Sequence, residues 1–141
     1  MEEKTRKRVA VIEDDRDINE LVCYNLFKKG YNPTSIFDGN EAQDTLAHEH
    51  FDIVVLDLML PGIDGISLCQ QIKQNTQGKK SYVIVLTART DPSDRMRAYL
   101  AGADIYMTKP FCIEKLLEAV EGLHGFSAQA SLVPQGGDGK G

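Results

Sequence analysis

The stretch FDIVVLDLMLPGIDG, residues 51–65, constrains the fold of this chain more than any other. Its apolar run, residues 53–56, is rich in β-branched side chains and does not alternate with polar ones. Such a run is typical of a strand that is covered on both faces of a parallel sheet. Asp57 follows directly, and ligand crevices of open α/β sheets lie beyond the carboxyl ends of their strands. Asp57 is therefore a candidate functional residue, with solvation or capping of a strand end as the structural alternative.

Four further short apolar runs alternate with segments of helical periodicity. The predicted strands are 9–12, 34–37, 53–56, 82–86 and 105–107. The predicted helices are 15–29, a segment after Asp38-Gly39-Asn40, 65–74, a segment from Asp91-Pro92 to Gly102 with Ser93 as its cap, and 113–123. The apolar positions of the second helix include Ala42, Leu46 and Ala47, and in the third helix Ile66, Leu68, Cys69 and Ile72 are predicted to face inward. The first helix is predicted from residues that recur at helical spacing, namely Ile18, Leu21, Val22, Asn25 and Leu26. Regular alternation of strands and helices predicts an α/β fold with a doubly wound parallel sheet of five strands and five helices.

The length of 141 residues predicts one domain, which we place at 1–124. Residues 125–141 contain several glycines in a polar setting and are predicted to be a flexible tail or a truncated linker. Residues 75–80 are predicted to be a polar loop. We expect the chain to be either a domain cut from a longer protein or a domain that acts alone, with the first option favoured.

Composition excludes several classes of function. No run of apolar residues is long enough to span a membrane, and the amino-terminal MEEKTRKR lacks the apolar segment of a secretory signal. Three cysteines without metal-ligand spacing predict reduced thiols and a cytoplasmic location. The formal net charge of −5 argues against direct nucleic-acid binding by this domain.

Polar side chains follow four of the predicted strands and are expected to gather at one edge of the sheet. They are Glu13, Asp14 and Asp15 after the first strand, Asp57 after the third, Thr87 after the fourth and Lys109 after the fifth. Clustered carboxylates repel each other, and oxygen ligands without His or Cys favour Mg²⁺. A lysine and a hydroxyl opposite them would complete a phosphoryl pocket. An aspartate between the two sides is placed to attack phosphorus and form an aspartyl phosphate.

Four motifs at these strand ends resemble the receiver domain of two-component response regulators. They are VIEDD at 11–15, VVLDLMLPGIDG at 54–65, VLTAR at 85–89 and GADIYMTKPF at 102–111. The resemblance covers residues 8–123. It implies a flavodoxin-like sheet in the order 2-1-3-4-5 and a regulatory domain that is not an enzyme beyond its own phosphoryl transfer and slow autodephosphorylation.

The resemblance assigns a role to each polar group. Asp57 would be the phosphoacceptor, and Thr87 and Lys109 would bind the phosphoryl oxygens. Mg²⁺ would be held by Asp14, by Asp57, by the backbone carbonyl of Met59, and by Glu13 through a water molecule.

Residues beside these groups also receive roles from the resemblance. A cis peptide at Lys109–Pro110 would aim the lysine, and the small Ala88 would keep the path of attack open. Tyr106 would rotate inward as Thr87 moves toward the phosphoryl group, with an ordinary edge aromatic as the alternative. Met59 and Arg89 would hinder water and make hydrolysis of the phosphoryl group slow. Asp15 is expected to be either a third acid of the site or the cap of the first helix, with the cap favoured.

The expected partners are a sensor histidine kinase or phosphotransfer protein and a downstream effector protein or output domain, with a phosphorylation-dependent homodimer as a further option. Met59, Arg89 and Asp94-Arg95 resemble receivers of winged-helix transcription regulators, whereas Ile105 and Ala119 depart from that subclass. The main alternative is a degenerate receiver that acts as a phosphate-independent adaptor. An aspartate-based phosphatase would need a second aspartate where Met59 stands, and a flavin or nucleotide binder would need a glycine-rich loop after the first strand.

Overall fold

A computed structural model of the chain describes residues 6–74 and 79–130, with backbone alone for 124–130. The strands are β1 (Arg8–Ile12), β2 (Asn32–Ile36), β3 (Ile53–Leu56), β4 (Tyr82–Thr87) and β5 (Ile105–Thr108). The helices are α1 (Arg16–Lys28), α2 (Gly39–His48), α3 (Gly65–Gln74), α4 (Pro92–Leu100) and α5 (Ile113–Ala130). None of these helices has the length and hydropathy that crossing a membrane requires.

The five strands form one parallel sheet in the order β2-β1-β3-β4-β5, which confirms the predicted fold class. The register aligns their carboxyl ends. Ile12 of β1 is paired with Leu56 of β3, and Leu56 is paired with Val85 of β4. Glu13 and Asp57 therefore leave the sheet at the same level on neighbouring strands.

Alternate residues of the strands feed two separate apolar cores. Val9 and Val11 pack with buried residues of α1 and α5 on one face. Ala10 and Ile12 pack with buried residues of α2, α3 and α4 on the other face. A sheet covered on both faces exposes only its edges, so the aligned carboxyl ends of the strands remain open for a functional site.

Burial in α1 and α2 does not follow the apolar periodicity at every position. Leu21 of α1 is 46% exposed and Ala47 of α2 is also exposed, whereas the polar Asn19 is fully buried. Helical periodicity assigns faces by hydropathy, and it therefore missed a buried amide that is held by hydrogen bonds.

The helix caps agree with the sequence prediction at α1 and differ at α4. The carboxylate of Asp15 accepts a hydrogen bond from the backbone N–H of Ile18, as predicted for the cap of α1. At α4 the cap is Asp91, which accepts hydrogen bonds from the backbone N–H and the hydroxyl of Ser93. Ser93, which was predicted as the cap, lies in the first turn instead.

Helix α5 continues to Ala130, beyond the predicted end at residue 123. Residues 125–130, which the sequence analysis assigned to the tail, are therefore helical. The remainder of the predicted tail, 131–141, and residues 75–78 of the predicted loop lie outside the described residues. The domain boundary and the nature of the tail stay predictions.

The loop between β3 and α3 is held close to the helix by Gly65. A methyl group on its Cα would lie 2.5 Å from the Cα of Leu58 and 2.7 Å from the Leu58 carbonyl oxygen. Only glycine permits this approach of one backbone to another. The contact fixes the loop that directly follows Asp57.

Candidate functional site

Asp57 is buried at the end of β3, with a side chain that is held on both sides. Its Oδ1 accepts a hydrogen bond of 2.9 Å from the backbone N–H of Met59. Its Oδ2 accepts one of 2.8 Å from the ammonium group of Lys109. The exposed fraction of Asp57 is 4%, so these contacts replace hydration of the charged group. The carboxylate is thus both positioned and kept partly shielded from water.

Glu13 lies beside it at the end of β1 and is 3% exposed. Its Oε2 accepts a hydrogen bond from the backbone N–H of Asp15. Its Oε1 lies 2.6 Å from the ammonium nitrogen of Lys109, but the two groups are not aligned as a hydrogen bond requires. Among the residues that the structure describes, this oxygen is the buried side-chain atom that has no hydrogen-bond partner.

Lys109 provides the positive charge between these two carboxylates. Burial lowers the pKa of the Lys109 ammonium, but the contacts with Asp57 and Glu13 outweigh burial, and the net shift is upward. Burial raises the pKa of Glu13, and the nearby Asp57 adds to this, against the lowering effect of Lys109. One ammonium group therefore faces two buried carboxylates, which leaves the cluster short of positive charge.

The acidic side of the site has the donors that a hard divalent cation requires. One carboxylate oxygen each of Glu13, Asp14 and Asp57 lie within 4.8 Å of one another. All three donors are oxygens, and Asp14 is exposed, so a cation would remain open to water and to a further ligand. This set of oxygen donors fits Mg²⁺.

Thr87 and Ala88 border the other side of the site. Thr87 is fully buried at the end of β4, and Ala88 after it is exposed. The Oγ1 of Thr87 accepts a long contact of 3.4 Å from the backbone N–H of Arg89. Within the described part of the chain, this hydroxyl donates no hydrogen bond.

Arg89 and Tyr106 connect this side of the site to α4. The guanidinium group of Arg89 is 3.5 Å from the carboxylate of Asp94. The hydroxyl of Tyr106 donates a hydrogen bond of 3.0 Å to the backbone carbonyl of Arg89, and the Arg95 guanidinium lies 4.7 Å from the centre of the ring. Tyr106 is therefore already buried in this structure, and its rotation with phosphorylation stays a prediction.

The structure brings Glu13, Asp14, Asp57 and Lys109 into one cluster, as the sequence analysis expected. Pro110 is exposed, and its peptide bond with Lys109 is cis. Met59 has its side chain exposed beside the site.

The sequence analysis missed Asn19, which holds the acidic loop in place. Its side-chain amide lies 3.0–3.1 Å from the carbonyl oxygens of Val11, Glu13 and Ile36 and donates to all three. Its Oδ1 accepts a hydrogen bond from the thiol of Cys23. The hydropathy pattern around Asn19 gave no signal of this contact, since Ile18 precedes it and the charged Glu20 follows it. Asn19 thus fixes the backbone from which Glu13 extends.

Asn19→Ala is expected to lower the free energy of unfolding by about 2–3 kcal/mol, because the buried carbonyl groups lose the hydrogen bonds that they accept from this amide. It is also expected to weaken divalent-cation binding, since the Glu13 loop loses its anchor. Urea unfolding and a Mg²⁺ titration would measure the two effects. Asn25→Ala is the matched control, because the Asn25 amide donates only to Leu21 within its own helix. Equal losses in the two variants would contradict the anchoring role.

Comparison with known proteins agrees with the geometry. A family model described as the response regulator receiver domain matches residues 9–121. The phosphate regulon transcriptional regulatory protein PhoB of Rhizobium meliloti (strain 1021) is 37% identical over 116 residues, which are 82% of this chain and 51% of that protein. The chain thus spans about half the length of that relative.

Solved structures of response regulators also resemble this chain. The BeF3-activated receiver domain of DrrB, an OmpR/PhoB homologue of Thermotoga maritima, is 32% identical with a TM-score of 0.79, covering 86% of this chain and 99% of that one. A response regulator protein from Burkholderia pseudomallei with a phosphorylated aspartic acid, calcium ion and citrate is 25% identical with a TM-score of 0.74, covering 92% of this chain and 75% of that one. The chain belongs to the response regulator receiver domain family of two-component systems, whose members are regulatory domains rather than classical enzymes.

Proposed function

We propose that this chain is a signalling receiver that is switched by phosphorylation of Asp57. A carboxylate oxygen of Asp57 attacks the phosphorus of a phosphohistidine, the P–N bond breaks, and the imidazole leaves with a proton from water. The observation that carries the proposal is the fixed Asp57 carboxylate, held by the Met59 N–H and Lys109 next to two further carboxylates. Fixed orientation favours attack because less motion must be lost in the transition state.

The acidic side of the site would hold Mg²⁺, through Asp14 and Asp57 directly, through the Met59 carbonyl, and through Glu13 by way of water. When bound, Mg²⁺ would offset the charge of the phosphoryl oxygens. Lys109 would exchange part of its contact with Asp57 for a contact with the phosphoryl oxygens. The Thr87 hydroxyl would donate a hydrogen bond to one of these oxygens. Hydrolysis of the phosphoryl group would be slow, since Met59 and Arg89 would hinder the approach of water to it.

The output would pass through the face formed by α4, β5 and α5. Movement of Thr87 toward a phosphoryl oxygen would shift the position of the loop that carries Arg89. This shift would alter the hydrogen bond that the Tyr106 hydroxyl donates to the Arg89 carbonyl. A histidine kinase or phosphotransfer protein would supply the phosphoryl group, in the cytoplasm. The similarity to PhoB supports an output domain that regulates transcription. The alternatives are that the switched face binds a separate effector protein or a second copy of this chain.

Incubation of the chain with acetyl phosphate and Mg²⁺ is expected to add the mass of one phosphoryl group, as measured on the intact protein. The same incubation with EDTA is expected to reduce the uptake by about 100-fold or more, because the carboxylate cluster would then repel the anionic donor. No uptake by the folded chain in Mg²⁺ would contradict the proposal. The phosphate-independent adaptor would then be the better description.

A further inference from the structure

A cavity of about 370 Å³ lies at the amino-terminal edge of the sheet, opposite to the edge that carries Asp57. Its wall includes Lys7, which precedes β1, Ile53, which begins β3, and Tyr82, which begins β4. The other lining residues are His50, Asp52, Lys79, Lys80 and Leu123. The volume falls within the range of about 300–1,000 Å³ that is usual for small-ligand sites. None of these residues takes part in the phosphoryl chemistry proposed for Asp57.

The cavity carries positive charge on a chain whose formal net charge is −5. Lys7, Lys79 and Lys80 line it, and within residues 6–74 and 79–130 none of the three forms an ion pair. Among the described residues that line the cavity, Asp52 is the one carboxylate, and it already accepts a hydrogen bond of 2.8 Å from the backbone N–H of Arg8. Three lysines along one concave surface attract an anion, and lysine is a common phosphate-binding residue.

One wall of the cavity is apolar and includes an aromatic ring. Ile53 is buried, and Tyr82 and Leu123 are half-buried. The Tyr82 ring has the ammonium groups of Lys73 and Lys80 at 5.6 Å and 5.9 Å from its centre. Lys73 is itself held by the Ser81 carbonyl and by Asp104, so this side of the ring is fixed. A ligand that fills the cavity would therefore meet lysine ammonium groups next to an aromatic ring and apolar side chains.

We propose that this cavity binds a small anion in which a phosphate group is joined to a flat ring, that is, a nucleotide-sized ligand. Lys7, Lys79 and Lys80 contact the phosphate, and the ring packs against Tyr82 and Leu123. Because the cavity and Asp57 lie at opposite edges of the sheet, both sites are accessible at the same time. The proposal does not depend on phosphorylation of Asp57.

The test is a titration of the full ¹⁵N-labelled chain with adenosine monophosphate in EDTA, followed by amide chemical shifts. The amide signals of Lys80, Tyr82 and Leu123 are expected to move with saturable binding. Adenosine alone and inorganic phosphate alone are each expected to bind at least about tenfold more weakly, because each lacks one half of the contacts. The double substitution Lys79→Gln and Lys80→Gln is expected to weaken binding by at least about tenfold, and Tyr82→Leu by a similar factor.

The matched control is the double substitution Lys28→Gln and Lys29→Gln, which makes the same charge change at exposed positions of α1 and its cap. It is expected to bind adenosine monophosphate as the unmodified chain does. The same spectra report whether each variant is folded. The proposal is overturned by an absence of shifts at about 5 mM ligand, by shifts confined to residues around Asp57 and Lys109, or by equal weakening in the control.

Discussion

Asp57→Asn is expected to take up no detectable phosphoryl group under conditions in which the unmodified chain takes up one. The amide oxygen of asparagine can still accept the hydrogen bond from the Met59 N–H, so the local backbone is retained. The amide lacks the negative charge and the nucleophilic oxygen that attack on phosphorus requires. Loss of a nucleophile removes the reaction path itself, and this is therefore the largest effect expected on function. The measurement is the intact mass after incubation with acetyl phosphate and Mg²⁺.

The matched control is Asp17→Asn, which makes the same carboxylate-to-amide change at an exposed position in the first turn of α1. It is expected to take up one phosphoryl group. Circular dichroism of both variants shows whether the fold is retained. Continued uptake by Asp57→Asn would place the acceptor on another residue, and peptide mapping would then have to distinguish Glu13 from Asp14.

The sheet and the candidate site were largely predictable, because both depend on strands and on the residues directly after them. A run such as residues 53–56 can only be buried on both faces, and parallel strands bring their carboxyl ends to one edge. Glu13, Asp57 and Lys109 therefore had to lie near each other once the five strands were recognised. Their spacing within the cluster depends on register, which the structure supplies.

The features that the sequence did not predict depend on individual side-chain contacts. Asn19 is buried because three carbonyl groups accept from its amide, and no hydropathy pattern signals such a contact. Asp91 rather than Ser93 caps α4, since both residue types are good caps and the starting position of the helix decides between them. The buried position of Tyr106 depends on the Arg89 carbonyl and on Arg95, which lie on other elements.

Lys109→Met is expected to lower both phosphorylation and the stability of the metal-free domain. The ammonium group lies 2.6 Å from an oxygen of Glu13 and 2.8 Å from an oxygen of Asp57, and methionine keeps its length without its charge. Two buried carboxylates are then left without a cation. Removal of one partner of a buried ion pair costs about 3–5 kcal/mol, and we expect about 3 kcal/mol because the Lys109 side chain is 17% exposed. Phosphoryl uptake is expected to fall by at least about 100-fold.

The loss of stability is expected to depend on pH with a definite sign. Burial raises the pKa of Glu13 and Lys109 opposes that shift, so the variant should have a Glu13 pKa that is raised further. A carboxyl group with a raised pKa in the folded state favours folding when it is protonated. The difference in unfolding free energy between the variant and the unmodified chain should therefore be largest at neutral pH and shrink as the pH falls through the folded-state pKa of Glu13 toward 4.5.

Urea unfolding at several pH values, with and without Mg²⁺, measures this dependence. Mg²⁺ is expected to restore part of the stability of Lys109→Met, because it would supply the missing positive charge to the same carboxylates. The control is Lys115→Met on α5, whose side chain is 70% exposed, so the same chemical change should alter stability by less than about 0.5 kcal/mol. If both variants lose the same stability, or if the loss in Lys109→Met does not vary with pH, then Lys109 does not hold this carboxylate cluster together. In that case its contacts with Glu13 and Asp57 would contribute no more than a surface ion pair does.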